Sequence, residues 1–325
     1  MFFERVCPKL YLGRKDAPPT DPVNLALNAY AFHWSFPEIV ADEVGLFKEK
    51  GIEVEWHDVT PPRVTNKTQL YTDLLRKGKT DVYHAGEWAC INRVSKGKDA
   101  WIVAKSPPGS GTLNSTFSIF VRRDSDIEKP SHLAGRGVAI EDGTGSFYTA
   151  MDDLERFMPR TAIKLIQAGE PHRRLLALQR GEVAAASLVG PWPAIGEVVG
   201  LKLLLRTKRT NPTNMVTRTD LDRDLLRRFL MATNRAIEII NRSPEKYKDS
   251  YFRRVKMILE EMPAEFSLRE REIRAVLKVP RWKPWRKYTK TEFLRTSEWM
   301  KERGILSAEE DPDSGVAPYP ASFYS

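Results

Sequence analysis

Short apolar runs of strand type alternate with amphipathic stretches of helical period along the first third of the chain, and this alternation restricts the fold more than any other feature. Val23-Asn24-Leu25-Ala26-Leu27 reads as a short buried strand. Ser35 caps a helix with Pro37 in its first turn; Ile39, Val40, Val44 and Phe47 form its apolar stripe, and Gly51 ends it. Ile52 to Trp56 alternates as a second strand. Thr65 to Lys77 is an amphipathic helix with Leu70, Leu74 and Leu75 inward, and Thr80 to Tyr83 is a third strand. This rhythm predicts βαβ units and a mainly parallel sheet.

A second series of the same kind begins at Ser118-Ile119-Phe120-Val121. It continues through strand Gly137–Ile140, a helix from Ser146 to Phe157, strand Ala162–Ile166, helix Pro171–Gln179 and an apolar strand from Val183 to Val189, and turns back through Leu201 to Leu205. The expectation is an α/β protein of two lobes joined near 105–118 and 205–216, with a hinged central cleft. Residues 1–21 would be an N-terminal arm, 22–112 with about 213–325 the first lobe with C-terminal helices, and 113–212 the second lobe. From Leu221 onward Leu225, Leu226, Phe229, Leu230, Ile237 and Ile240 keep a helical period.

Length and composition agree with two lobes: 325 residues suffice for a large core without staples. Cys7 and Cys90 are the only cysteines, which excludes a disulfide scaffold and an all-cysteine zinc site. No apolar run approaches the eighteen or so residues of a membrane span. Lys and Arg number 52 against 43 Asp and Glu, a net charge of +9 that suits an anionic partner. The first residues, with Glu4 and Arg5, lack the apolar stretch of a secretory signal. As the sequence stands the expected location is cytoplasmic, or periplasmic or cell-surface if a leader was removed.

Several phrases carry a family resemblance. Val23 to Asn28, Pro37, the run Ala41 to Val54 with its Gly-Leu-Phe-Lys-Glu-Lys-Gly-Ile core, Leu74 to Asp81, Asp126 to Val138, Leu176 to Val183 and Leu225 to Pro244 resemble the SsuA/THI5-like family in family order. That family includes solute receptors for sulfonates, nitrate and thiamine precursors, and a thiamine pyrimidine synthase. The resemblance implies a type 2 periplasmic-binding-protein fold and, for an exported chain, an ABC permease as partner. The synthase's cofactor-bearing lysine and consumed histidine fall on Ala85 and Ala89 here, and the cysteine of the family's desulfinase branch has no counterpart between Asn28 and Ser35. No cofactor and no metal are therefore expected.

In open α/β sheets ligands sit beyond the carboxyl ends of strands, so the loops after each strand hold the candidate residues. These are Asn28, Tyr30, Phe32, His33 and Trp34; Thr60 and Arg63; His84, Gly86, Glu87 and Trp88; Asp142 to Tyr148; Gly169 and Glu170; and Gly190, Pro191 and Trp192. The turn Gly143-Thr144-Gly145-Ser146 opens a helix, where free N–H groups and a positive dipole end favour an anion; its bland alternative is a plain strand-to-helix turn with Ser146 as cap. Trp34, Trp88, Trp192, Tyr30 and Tyr148 suggest aromatic walls and a ring-bearing ligand, or else ordinary packing. His33, His84 and Glu87 suit hydrogen bonding, acid–base chemistry or, last, a metal site. Cys90 reads as a small core residue. Lys278 to Lys290 interleaves basic and aromatic residues; a solvated loop is the expectation, and nucleic acid is not an expected partner.

Two readings follow. In the first the protein binds a small anionic molecule, aromatic or heterocyclic, in the cleft: Asn28, Tyr30, Trp34, His84 and Trp88 grip the ring, Gly143, Thr144, Gly145 and Ser146 hold the acidic group, and Trp192 closes the side. In the second the same fold is an intracellular enzyme, a decarboxylase or C–S lyase or another biosynthetic or degradative catalyst, with His33, His84 or Glu87 as acid or base.

Overall fold

The computed structural model describes residues 21–60, 67–95, 99–106, 116–207, 212–307 and 315–324. The N-terminal arm up to residue 20, Cys7 and Arg63 lie outside the described residues. Strands β1 (Asp21–Leu27), β2 (Ile52–Asp58), β3 (Val82–Gly86) and β4 (Ala100–Lys105) belong to one sheet, and β5 (Ser118–Arg122), β6 (Gly137–Ile140), β7 (Lys164–Gln167), β8 (Ala185–Leu188) and β9 (Leu201–Arg206) form another. The chain then returns: β10 (Thr213–Arg218) inserts between β3 and β4, and β11 (Arg286–Lys287) pairs along the far edge of β4. The orders are β11-β4-β10-β3-β1-β2 and β7-β6-β8-β5-β9.

Neither sheet is as uniformly parallel as the alternation predicts. β1 runs parallel to β2 and β3, and β6 parallel to β7 and β8. β10 is antiparallel to both neighbours, β11 to β4, and β5 to β8 and β9. The reason is the crossing: a strand arriving from the other lobe enters the sheet from the opposite end. β10, Thr-Asn-Met-Val-Thr-Arg, is half polar and falls where the sequence suggests a connection, yet its first five residues are buried.

The first helix is shorter than its apolar stripe suggests. It breaks into α1 (Phe36–Glu43) and α2 (Leu46–Glu49) because Gly45 sits at φ +81°, and Val44 turns outward at 42% exposure. Further helices are α3 (Lys67–Arg76), α4 (Glu87–Val94), α5 (Gly145–Leu154), α6 (Pro171–Gln179) and α7 (Trp192–Val198). α5 ends three residues before Phe157, which is largely exposed rather than part of an inward helical face. The C-terminal region adds α8 (Arg223–Arg242), α9 (Lys248–Leu259), α10 (Ala264–Leu268), α11 (Glu270–Val276) and α12 (Lys290–Glu302).

α8 starts cleanly because the Asp222 carboxylate accepts from the Leu225 N–H at 2.7 Å. Its stripe of Leu226, Phe229, Leu230, Ile237 and Ile240 is buried, and Phe229 stacks on Phe47 at 4.9 Å. Each such side chain contributes about 1.5–3 kcal/mol by leaving water, so this helix fastens α1 and α2 to the first sheet. The basic-aromatic segment 278–290 is not the solvated loop expected from its charge. Trp282, Trp285 and Tyr288 are buried, Asn241 clasps the Trp282 backbone through both N–H (3.0 Å) and C=O (2.6 Å), and Asn234 accepts from the Trp285 N–H at 2.8 Å. The rings go inward and the lysines and arginines between them remain at the surface or in ion pairs.

Candidate functional site

A cleft enclosing about 710 Å³, part of it open to solvent, lies at the strand ends between the two sheets. From the first lobe it is lined by Asn28, Trp34, Ser35, Tyr71, His84 and Arg93, with Ala85, Gly86 and Ala89; from the second by Phe117, Glu141, Thr144, Gly145, Glu170 and Arg174.

Each polar side chain there is held by local structure. Asn28 ends β1 and caps a short 3-10 turn, Ala29–Trp34, by accepting from the Tyr30 N–H at 3.0 Å; its amide then donates to Glu170 Oε1 at 2.7 Å, across the cleft. Glu170 stands immediately before α6, and Arg174 lies one turn into that helix. The Arg174 guanidinium is buried at 2% exposure, and its Nε and Nη1 have no hydrogen-bond partner. Burial pulls its pKa down to about 10, against the nearby charges of Glu141 and Glu170. On the first lobe Arg93, in the last turn of α4, lies over the rings of Tyr71 (4.4 Å) and Tyr83 (5.0 Å), with Nε and Nη1 likewise unpartnered.

The glycine turn is knotted by hydroxyls. Thr144 donates to the Glu141 carbonyl at 2.8 Å, Thr144 and Ser146 share a 2.9 Å contact, and Ser146 accepts from the Glu141 N–H at 2.9 Å. α5 begins at Gly145, with Thr144 rather than Ser146 in the capping position, and Gly143 takes φ +65°. Thr144 and Gly145 line the cleft; Ser146 is turned inward as the knot.

The other candidates divide clearly. Trp34 lines the cleft, 6.5 Å from Phe117. His84 lines it from within β3, not after it. Tyr30 sits outside the lining, donating to Glu261 at 2.7 Å and lying 4.4 Å from the His172 ring. Trp88 and Tyr148 pack on each other at 5.8 Å, both buried, and Trp192 is fully buried beside His172. His33 is buried against the turn at Gly190, whose φ is +68° and where a Cβ would come within 2.8 Å of the imidazole. Glu87 accepts from Tyr288 at 3.0 Å and meets Lys105 at 3.5 Å; Lys105 also reaches Glu292 (3.3 Å), which Arg286 holds at 2.6 Å. That network fastens the C-terminal segment to the ends of β3 and β4. Cys90 is buried in the core, and burial pushes its thiol up to about 12. Among the described residues no group of three or more His, Cys, Asp or Glu is placed to hold a metal ion, and no helix is long and apolar enough to cross a membrane.

The sequence pattern of the family described as ABC transporter, phosphonate, periplasmic substrate-binding protein matches residues 59–251, more than half of the chain. The chain belongs to this family. Among solved structures, the alkanesulfonate-binding protein SsuA from Xanthomonas axonopodis pv. citri bound to MOPS is similar with a TM-score of 0.69 and 14% identity, over 93% of this chain and 99% of that one. The periplasmic aliphatic sulphonate binding protein SsuA from Escherichia coli follows at 0.66 and 15%, over 93% of each. A Candida albicans gene product, described as defining a new family with the generic periplasmic binding protein fold, gives 0.62 and 15%, over 94% of this chain and 98% of that one. Among curated proteins none matches the chain. The fold is thus the two-lobed type 2 periplasmic-binding-protein architecture, and the chain is an ABC-type solute-binding protein.

For such a substrate-binding protein the cleft chemistry is that of capture. Unpartnered N–H groups on two buried arginines, one per lobe, share the cleft lining with a helix start, while Trp34, Tyr71 and Phe117 supply flat apolar walls. Sequence reasoning missed both arginines because it stopped at the loops. A helix that follows a strand also turns one face to the cleft: Arg174 stands four residues after Glu170, and Arg93 four residues after Ala89, each pair lining the cleft.

Proposed function

We propose that the protein captures a small organic anion, a sulfonate or phosphonate on a ring-bearing or apolar body, between its lobes and presents it to a membrane permease. The observation that carries this reading is the Arg174 guanidinium: buried, lining the cleft, with two of its nitrogens unpartnered. A buried cation with open donors costs several kcal/mol unless an acceptor joins it. Arg93 and the α5 start at Thr144 and Gly145 complete the anion seat, while Asn28, Trp34, His84 and Phe117 enclose the body. Glu141 and Glu170 supply acceptors for donor groups on that body. The family supports the reading, and so does the MOPS named with the Xanthomonas structure, an alkylsulfonate whose chain carries a saturated ring. The enzyme reading is less well supported, since His33 and Glu87 are engaged away from the cleft lining.

In this scheme residues 22–112 with 213–325 form one lobe and 113–212 the other, closing over the anion. The protein then works outside the cytoplasmic membrane, beside its permease, which fractionation of native cells tests directly. Calorimetry against MOPS, alkylsulfonates, alkylphosphonates and matched carboxylates tests the ligand class. Sulfonates or phosphonates should bind at micromolar levels or better, and Arg174→Ala should weaken them about thirtyfold or more. Equal affinity in wild type and variant, or binding of carboxylates alone, would refute it.

A further inference from the structure

Ser35 and Glu38 stand three residues apart at the start of α1, in the Ser-x-x-Glu pattern that normally closes a helix N-terminus on itself. Here Ser35 makes no capping hydrogen bond. Its hydroxyl lies 3.1 Å from His84 Nδ1, and Glu38 Oε1 lies 3.5 Å from His84 Nε2. The serine end of the box has turned onto the imidazole, and the glutamate end stands beside its other nitrogen, where neither Nε2 nor either Glu38 oxygen has another hydrogen-bond partner. The side chains of Glu38 and His84 are 0% and 1% exposed, and Trp285 stacks flat on the imidazole at 5.3 Å and 16°. Ser35 and His84 both line the cleft; Glu38 does not. A helix that gives up a cap worth about 1 kcal/mol breaks a local rule, and such breaks cluster at functional sites.

We propose that Glu38, His84 and Ser35 form a proton relay that fixes the Ser35 hydroxyl as a hydrogen-bond donor to the anion in the cleft. This deepens the ligand reading above and rests on it. A neutral imidazole carries one N–H, so the three groups share one direction. When Glu38 is protonated its O–H points at Nε2, Nδ1–H donates to Ser35, and the serine proton is left for the ligand. When the relay loses a proton it leaves through the cleft: the serine proton passes to water, the Nδ1 proton to the serine oxygen and the Glu38 proton to Nε2, whose N–H then meets the carboxylate. Nδ1 then accepts from Ser35, and the cleft sees a lone pair instead of a donor. Burial sets which arrangement holds near neutrality: it raises the Glu38 carboxyl to about 8 and lowers His84 to about 3, so both stay uncharged.

The charged groups around the relay are committed to other partners or line the cleft, Arg93 on the relay's own lobe and the rest on the other. On α1 Glu43 pairs with Arg254 of α9, and Asp42 accepts from Trp56. At the ends of β3 and β4, Glu87 and Lys105 belong to the network with Glu292 and Arg286. α8 buries only uncharged residues. Arg93, Arg174, Glu141 and Glu170 are on the cleft lining.

The test uses the full chain in buffers free of sulfonate and phosphate, with MOPS as probe, between pH 6.5 and 9.5. Nitrogen-15 NMR of the His84 ring should show an Nδ1–H tautomer at pH 6.5 passing to Nε2–H near pH 8. MOPS affinity should fall about tenfold or more across the same interval, and so should that of propanesulfonate, which has no titrating nitrogen of its own. Glu38→Gln, whose amide donates to Nε2 at every pH, should flatten that profile. Ser35→Ala should weaken MOPS about tenfold at pH 6.5 and flatten it as well. A wild-type chain that binds MOPS equally from pH 6.5 to 9.5 with one unchanging tautomer overturns the relay and leaves the ligand reading intact. A chain that binds no sulfonate or phosphonate at all overturns the ligand reading, and with it the anion step of the relay, whatever the tautomer does.

Discussion

Asn28 and Glu170, 142 residues apart in sequence, meet at 2.7 Å in a buried hydrogen bond that ties the end of β1 in one lobe to the start of α6 in the other. It is a latch with a neutral and a charged member, so its strength does not depend on pairing two buried ions. The latch, the Tyr30–His172 ring contact and the His33–Gly190 approach all join the short segment after β1, Asn28 to His33, to the second lobe, where Glu170 and His172 stand at the start of α6 and Gly190 follows β8.

Removing the latch should favour the open form. A hydrogen bond to a charged group contributes about 1.5–3 kcal/mol. Asn28→Ala should therefore increase the radius of gyration in small-angle scattering and weaken ligand binding about tenfold or more. An unchanged scattering profile and affinity would show that the bond contributes nothing to closure.

Gly190 should tolerate no side chain. Its φ of +68° disfavours any other residue, and an added Cβ would sit 2.8 Å from the His33 ring, in the opposite lobe. Gly190→Ala should lower stability by about 1–3 kcal/mol, read by thermal or urea unfolding. Trimming the imidazole with His33→Ala in the same chain should recover part of that loss.

Acid sensitivity should be partly traceable to Glu292. Burial would raise its pKa, but the Arg286 hydrogen bond, the Lys105 charge and the Thr289 donors hold it down to about 2. A carboxyl depressed in the folded state contributes stability above its unfolded pKa and loses it as pH falls through the folded one. Unfolding measured between pH 4.5 and 2 should therefore show a progressive loss of stability, and Glu292→Gln should show a smaller loss over the same range.

The bond between α12 and the second lobe should be electrostatic in part. Arg303 donates twice to Glu155 (2.7 and 3.1 Å) and lies over Trp299 at 4.1 Å, while Trp299 donates to Asp152 at 3.0 Å. Arg303→Ala should cost about 1 kcal/mol at low salt and less at high salt. Parallel melts at two ionic strengths check this.

Much of the architecture was legible because local and global signals coincide. Strand Gly137–Ile140 and helix Pro171–Gln179 appear with the bounds read from the sequence, since a flanking glycine and an initial proline punctuate them. β10 was hidden because its polar residues are buried only by the strands on either side, which come from distant sequence. The inward burial of Trp282, Trp285 and Tyr288 was obscured by the lysines and arginines between them; the side chains that receive the segment, Asn234 and Asn241, sit on a helix 51 and 41 residues before the backbone groups they bind. In the cleft, Asn28, Trp34, His84, Thr144 and Gly145 were accessible from loop positions. Arg93 and Arg174 were not, because each lies inside a helix and reaches the cleft through the direction of its side chain.

Among the described residues β3 and β4 share no pairing and are bridged in the sheet by β10, which is made after all five strands of the second lobe. Until residue 218 is available, the first sheet has an empty slot at its middle and two apolar strands with exposed edges. Its maturation is therefore tied to the arrival of a late segment over a long chain distance, a topology that slows folding. A nascent or translocating chain halted before that point would carry an unfinished sheet, the state in which a holding chaperone has most to bind.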